Sequence, residues 1–167
     1  MTSKITFTLD GKTVAVIGTG ASAIQFLRTL AADAGHVTVF QRSPQWARPP
    51  QDYHGTVSAG QRWLLEHVPL YYAWYRFGLM WRYGDGLLPT LRKDPAWPHP
   101  TRSVNATNER HRQEMLRYIE SELDGRPDLL AKAIPDYPPY GKRILLDAGW
   151  YQALRRPNVE LVTERVD

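Results

Sequence analysis

The stretch that decides the fold class of this chain is Val14-Ala15-Val16-Ile17-Gly18-Thr19-Gly20-Ala21-Ser22-Ala23. A β-branched run that leads into a G-x-G-x-x-A turn and then into a helix is typical of a dinucleotide-binding βαβ unit. Apolar periodicity predicts a helix over residues 22–34, and residues 37–40 form a second β-branched strand. Residues 12–42 are therefore predicted to form one right-handed βαβ unit with parallel strands.

Each small residue of this turn has a physical role in binding a dinucleotide. Gly18 permits the tight turn, Gly20 lets the backbone approach a pyrophosphate, and Ala23 keeps the helix close to the strand. The diphosphate can then sit at the helix N-terminus. Four further residues are candidates for lining the turn, with a solvent-facing position as the alternative for each: Thr19, Ala21, Ser22 and Gln25.

The end of the second strand indicates which dinucleotide is bound. Gln41 and Arg42 stand where an NAD site has a ribose-binding carboxylate, about 20 residues after the glycines. A cation at this position can bind a 2′-phosphate, which Asp or Glu would repel. Ser43 adds a hydroxyl donor. The pattern favours NADP over NAD, and the alternative for Arg42 is an exposed arginine at a strand end.

A second pair of cations, Lys142 and Arg143, follows a proline-rich loop. Adjacent cations are more often a solvated surface than a site. Their position favours a site, because a loop that re-enters such a sheet at its switch point faces the ligand crevice.

Composition excludes several other functions. The 167 residues include no cysteine, which excludes a disulfide framework, a Cys-ligated zinc site and a thiol nucleophile, and the five histidines lack metal-ligand spacing. The net charge of +4 comes from scattered Arg and Lys, which indicates a solvated basic surface and no nucleic-acid partner. The apolar segment 68–83 is interrupted and shorter than the ~20 residues of a membrane span. With no N-terminal signal visible, we expect a cytoplasmic protein.

The middle of the chain is predicted to be helical. A capping box at Ser58 and Gln61 predicts a helix from about residue 59 that breaks at Pro69 and ends before Gly84. Further helices are predicted at 107–123, 127–134 and 149–154, a loop at 89–101, a linker at 48–55 and a third strand at 158–162. An aromatic cluster is interpreted as helix core, with a substrate channel as the alternative: Tyr71, Tyr72, Trp74, Tyr75, Phe77 and Trp81.

Four motifs together resemble the Baeyer-Villiger monooxygenases, which are FAD-containing and NADPH-dependent. They are Gly-Thr-Gly-Ala-Ser-Ala-Ile-Gln at 18–25, Val-Phe-Gln-Arg-Ser-Pro-Gln-Trp at 39–46, Gly-Lys-Arg-Ile-Leu-Leu-Asp at 141–147 and Arg-Pro-Asn-Val-Glu-Leu-Val at 156–162. The segments at 63–69 and 83–89 are most similar to the 4-hydroxyacetophenone monooxygenase branch. The resemblance covers nearly the whole chain.

The resemblance implies a role for each site residue. Residues 18–25 would cradle the NADP pyrophosphate, Arg42, Ser43 and Lys142 would hold the 2′-phosphate, and Arg143 matches the catalytic arginine of the family. In that family NADPH reduces the flavin, and O2 then supplies an oxygen atom that is inserted into a ketone to form an ester or lactone. An aromatic ketone is the implied substrate.

The resemblance also implies that part of such an enzyme lies outside this chain. The family's FAD-binding G-x-G-x-x-G unit and its F-x-G-x-x-x-H-x-x-x-W signature are not found in these 167 residues. We therefore expect an α/β chain with an incomplete, Rossmann-like, NADP-binding parallel sheet. Its expected parts are a βαβ unit at 1–45, a helical insertion at 46–141 and a return to the sheet at 142–167. The FAD site would lie largely elsewhere, and the isolated chain would be inactive. A non-catalytic NADP-binding or interaction module is the alternative.

Overall fold

A computed structural model describes residues 8–49 and 56–164. In these residues the strands are β1 (Thr13–Ile17), β2 (His36–Phe40), β3 (Ala47–Arg48), β4 (Leu145–Leu146) and β5 (Val159–Val162). The helices are α1 (Ala21–Asp33), α2 (Ala59–His67), α3 (Tyr71–Tyr83), α4 (Leu88–Leu91), α5 (Ala106–Glu122), α6 (Pro127–Ala133) and α7 (Trp150–Leu154). No helix of this part of the chain is both long and apolar enough to cross a membrane.

A three-stranded parallel sheet in the order β1-β2-β5 is the centre of the fold. Thr13 pairs with His36, and Val37 pairs with Val159. Val37 and Val39 of the central strand are completely buried. Their β-branched side chains suit a strand that is covered by other elements. The predicted α/β class with a Rossmann-like parallel sheet is confirmed.

Helix α1 covers the sheet with the face that the apolar spacing predicts. Ile24, Leu27 and Ala31 are buried against the sheet and α7, and Leu30 is partly buried. The side chain of Asn158 donates to the carbonyls of Ala31 and Ala34, both at 3.0 Å, and so joins the end of α1 to the start of β5. The βαβ unit and the third strand are thus one packed body.

The prediction of a loop at 89–101 is wrong at its start, where α4 forms. Proline is tolerated in the first turn of a helix, so Pro89 does not prevent α4. The side-chain amide of Asn105 donates to the carbonyls of Pro89, Thr90 and Arg92 at 2.7–3.2 Å. These bonds satisfy carbonyl groups that the end of a short helix leaves without partners.

The predicted linker begins as a strand. Ala47–Arg48 form β3, which pairs in parallel with β4, whereas most of the rest of that linker, residues 50–55, lies outside the described residues. The backbone N–H of Leu145 donates to the Trp46 carbonyl at 2.9 Å, and that of Asp147 donates to the Arg48 carbonyl at 2.8 Å. A two-residue strand leaves too little alternation for sequence to reveal it.

The interpretation of the aromatic cluster as helix core is wrong. Tyr71 is half-buried, but five of its members are exposed: Tyr72, Trp74, Tyr75, Phe77 and Trp81. Neither α2 nor α3 buries a residue completely. Large apolar residues lie all around α3, whereas its main contacts are with α2 and the 3-10 turn at Asp85–Leu87. One helix and one turn cannot cover every side of such a helix.

Candidate nucleotide-binding site

A crevice of about 830 Å³ opens at the carboxyl edge of the parallel sheet. It is lined by the last residues of β1 and β2 and by residues that follow β1, β2 and β5: Ile17, Gly18, Thr19, Gly20, Phe40, Gln41, Arg42, Ser43, Gln45, Thr163 and Glu164. Ligands of open α/β sheets bind outside the carboxyl ends of the strands. The crevice therefore lies where a dinucleotide would bind in this fold.

The glycine turn after β1 forms one wall of this crevice. Gly18 has φ +93°, a left-handed conformation that favours glycine, and its N–H donates to the Phe40 carbonyl at 2.9 Å. Gly20 precedes α1 in an extended conformation, and no side chain caps the helix there. Gly20 borders the crevice, and a Cβ on it would meet no atom of the protein within 4 Å. The first turn of α1 thus offers backbone N–H groups to an anion.

Thr19 and Ser43 join the turns that follow β1 and β2. Thr19 is buried, and its hydroxyl donates to the Ser43 carbonyl at 3.2 Å. The Lys142 ammonium, 99 positions further along the chain, donates to the Ser43 hydroxyl at 2.6 Å. The structure therefore brings together three residues that the sequence predicts for the site.

Two cations, Arg42 and Lys142, lie next to Ser43 at this corner of the crevice. Arg42 is exposed at the end of β2 and lines the crevice beside Ser43. Lys142 lies on the loop before β4, which the pairing of β4 with β3 brings next to β2. Glu164 also lines the crevice, after β5. A guanidinium, an ammonium and a hydroxyl are donors of the kinds that suit a phosphate dianion.

The other predicted residues lie outside this crevice. Ala21, Ser22 and Ala23 line a second groove of about 530 Å³ between α1 and the outer edge of β1, which Gly18 and Gly20 also border. Gln25 is exposed on α1 and borders neither the groove nor the crevice. Arg143 is exposed, and no hydrogen bond or ion pair joins it to another described residue.

Tyr137 is a residue of this corner that the sequence did not reveal. Its ring centroid lies 4.6 Å from the Lys142 Nζ, and its hydroxyl donates to the Pro44 carbonyl at 2.8 Å. Burial raises the pKa of Tyr137, so the hydroxyl remains a donor at neutral pH. The motif Asp-Tyr-Pro-Pro-Tyr-Gly at 136–141 indicates a rigid loop, but nothing in it indicates a contact with the segment after β2.

The side chain of Gln41 lies on the interior side of the crevice. It is buried and donates to the Lys132 carbonyl at 2.7 Å, while the Lys132 ammonium donates to the Leu161 carbonyl at 2.8 Å. These bonds hold α6 against the ends of β2 and β5. Of the two residues at the ribose position, Arg42 is therefore the one that is exposed to a ligand.

Relatives of this chain are named monooxygenases, although no family model matches it. The uncharacterized monooxygenase y4iD of Sinorhizobium fredii is 53% identical over 154 residues, which are 92% of this chain and 23% of that protein. A Baeyer-Villiger monooxygenase of Streptomyces coelicolor is 33% identical over 93% of this chain and 27% of its own length. This chain thus spans about a quarter of the length of these curated relatives.

Solved structures of monooxygenases share the fold. Cyclohexanone monooxygenase from Rhodococcus sp. Phi1 bound to NADP+ has a TM-score of 0.63 and 26% identity, over 96% of this chain and 34% of that one. The polycyclic ketone monooxygenase of Thermothelomyces thermophila has a TM-score of 0.66 and 22% identity, over 92% of this chain and 28% of that one. The chain is therefore similar, along nearly its whole length, to a part of Baeyer-Villiger monooxygenases, and it has the Rossmann-type fold of their NADP-binding regions.

Proposed function

We propose that this chain is the NADP(H)-binding portion of an FAD-dependent Baeyer-Villiger-type monooxygenase that oxidises ketones to esters or lactones with O2 and NADPH. The observation that carries the proposal is the contact between Lys142 and Ser43 beside Arg42. It places two cations and a hydroxyl at the end of β2, next to a glycine turn without a side-chain cap. The names of the relatives and the NADP+ in a solved structure of similar fold support it.

The residues present fit the nucleotide. The N–H groups at the start of α1 would hold the pyrophosphate, and Gly20 leaves room for it because it has no Cβ. Arg42, Ser43 and Lys142 would hold the 2′-phosphate. A 2′-hydroxyl would give these cations no charge to neutralise, so the same corner would favour NADPH over NADH.

We further propose that Arg143 is the catalytic arginine. Bound FAD would supply the reaction with O2 that delivers an oxygen atom to the ketone. Arg143 keeps its charge at every relevant pH and offers a planar set of N–H donors, which suits an anionic oxygen. Removing one such preorganised donor costs about 10²–10³ in rate. Its exposure leaves the guanidinium accessible to a cofactor or substrate from outside the described residues.

The remaining parts of the proposal concern organisation and substrate. We propose that residues 1–45 and 142–167 build the nucleotide sheet, that 46–141 form a helical insertion, and that the FAD site lies largely outside these residues. The pairing of β5 with β2 supports this division. The similarity of residues 63–69 and 83–89 to the 4-hydroxyacetophenone branch supports an aromatic ketone as substrate.

Calorimetric titration with NADPH and NADH tests the nucleotide assignment. We expect NADPH to bind more tightly, and we expect Arg42→Ala to weaken NADPH binding about 10- to 100-fold, since a hydrogen bond to a charged group contributes about 1.5–3 kcal/mol. NADH binding should stay nearly unchanged. Arg117→Ala, on the exposed side of α5, is the matched control. Equal affinities for NADPH and NADH, or unchanged NADPH affinity in Arg42→Ala, would refute the assignment.

The alternative of a non-catalytic NADP-binding module is tested by activity. With FAD, NADPH and 4-hydroxyacetophenone, we expect the isolated 167 residues neither to retain flavin nor to form ester. A longer protein that contains them together with an FAD-binding region should do both. If that longer protein binds NADPH but never oxidises a ketone, the module is the correct description.

A further inference from the structure

The Lys142 ammonium is held by two groups of different chemistry. The Ser43 hydroxyl accepts its hydrogen bond at 2.6 Å, and the Tyr137 ring lies 4.6 Å away on another side. Lys142 is itself exposed, and an exposed lysine ordinarily samples many rotamers. A cation over an aromatic face is attracted by the negative face of the ring. The ring therefore narrows the region in which the ammonium moves.

Tyr137 is in turn fixed to the segment that follows Ser43. Its hydroxyl donates to the Pro44 carbonyl at 2.8 Å, and the Trp46 indole N–H donates to the Tyr137 carbonyl at 2.9 Å. Trp46 is almost completely buried, so it anchors this arrangement to the core. These bonds therefore fix the position of the Tyr137 ring relative to Ser43 and the end of β2.

We propose that Tyr137 is a positioning residue that holds the Lys142 ammonium beside the Ser43 hydroxyl and so increases the preference of the site for a nucleotide with a 2′-phosphate. The inference rests on the proposed NADP(H) function. Tyr137 acts through Lys142, because the hydroxyl of Tyr137 is already bonded to the Pro44 carbonyl. A lysine that is ordered before the ligand arrives loses less entropy on binding.

A double-mutant cycle measures this role as the ratio of the NADH and NADPH dissociation constants. The variants are Tyr137→Leu, Tyr137→Phe, Lys142→Ala and the double variant Tyr137→Leu/Lys142→Ala, each in the full chain. We expect Tyr137→Leu to reduce the ratio about two- to fivefold, the range of a cation–π contact at an exposed site. Tyr137→Phe keeps the ring and should keep most of the preference. In the Lys142→Ala background, Tyr137→Leu should change the ratio no further.

A general loss of structure would not give this pattern, because it would weaken NADH and NADPH binding equally. An unchanged ratio in Tyr137→Leu, or an equal loss in the Lys142→Ala background, would overturn the inference. Failure of the proposed function is distinguishable: wild-type protein would then bind both nucleotides equally, and Lys142→Ala would have no effect on the ratio.

A measurement on the wild-type protein covers the case in which Tyr137→Leu does not fold. The ε-methylene group of Lys142 is bonded to the Nζ that lies 4.6 Å from the Tyr137 ring centroid, so its protons should show an upfield ring-current shift in the NMR spectrum. Tyr137→Phe should retain that shift. If these protons have random-coil chemical shifts in the folded wild-type protein, the contact is absent and the inference is overturned.

Discussion

Replacement of Asp147 by alanine is expected to destabilise the chain strongly, because three donors depend on one buried carboxylate. Asp147 directly follows β4 and is buried. One carboxylate oxygen accepts the Tyr118 hydroxyl at 2.8 Å, and the other accepts the N–H groups of Gly149 and Trp150 at 2.8 and 2.5 Å. The carboxylate thus joins α5 to the start of α7.

The magnitude follows from the three donors that the substitution leaves without an acceptor. Each buried donor without a partner costs about 1–3 kcal/mol, so three fully buried donors would cost about 3–9 kcal/mol. Because Tyr118 and Gly149 are only partly buried, we expect Asp147→Ala to cost about 3–6 kcal/mol, the lower part of that range. The typical stability of a whole domain is about 5–15 kcal/mol, which makes this a large part of the total. Asp147→Asn keeps one acceptor oxygen for the two N–H groups, and we expect it to cost about 1–2 kcal/mol.

Equilibrium unfolding in urea, followed by tryptophan fluorescence, measures these differences. With an m-value of about 2 kcal/mol per molar, a loss of ~4 kcal/mol lowers the midpoint by about 2 M. Asp124→Ala is the matched control: Asp124 is exposed, and its replacement should change stability by no more than about 0.5 kcal/mol. Tyr118→Phe should cost about 1–2 kcal/mol alone and much less in the Asp147→Ala background. An Asp147→Ala variant within about 1 kcal/mol of wild type would refute the reasoning.

Three further predictions concern the glycine turn, a histidine and the aromatic helix. Gly18→Ala puts a Cβ on a left-handed backbone and should lower the free energy of unfolding in urea by about 1–2 kcal/mol. Gly20→Ala should unfold at the same urea concentration as wild type, but it should bind NADPH more weakly in calorimetry. Burial, followed by the Arg48 charge, lowers the pKa of His111 below its ordinary 6.5, so the native state takes up a proton less readily than the unfolded chain. The contribution of His111 to the free energy of unfolding should therefore be complete above pH 6.5 and should decrease as the pH drops below that value. His111→Gln should make the urea midpoint less dependent on pH between pH 7.5 and 5.5. Trp74→Gln, at a side chain 68% exposed, should change the urea midpoint by the equivalent of no more than ~0.5 kcal/mol, and a loss of several kcal/mol would show that Trp74 is covered.

The sequence could predict the parts of the fold that depend on short-range pattern. The first strand ends at Ile17 as predicted, and α1 begins within one residue of the predicted start, because β-branched runs and apolar periodicity are local signals. The position of Arg42 and Ser43 at the edge of the crevice could be predicted for the same reason, since both lie at a fixed distance after the glycine turn. The exposure of the aromatic side chains of α3 could not be predicted, because aromatic composition does not reveal which surfaces other elements cover.

The sequence predicts Lys142 for the site, but it could not predict the contacts that hold Lys142 there. The loop that carries Lys142 is fastened to residues 44–48 at both ends: before Lys142 by Tyr137, which bonds to Pro44 and Trp46, and after it by the pairing of β4 with β3. These contacts join residues about ninety positions apart, and each depends on a single side chain or on a strand of two residues. Because both ends are fixed by contacts within the chain, Lys142 stays within reach of Ser43 before any nucleotide binds. The loop then loses its conformational entropy when the protein folds, so nucleotide binding is not weakened by having to order it.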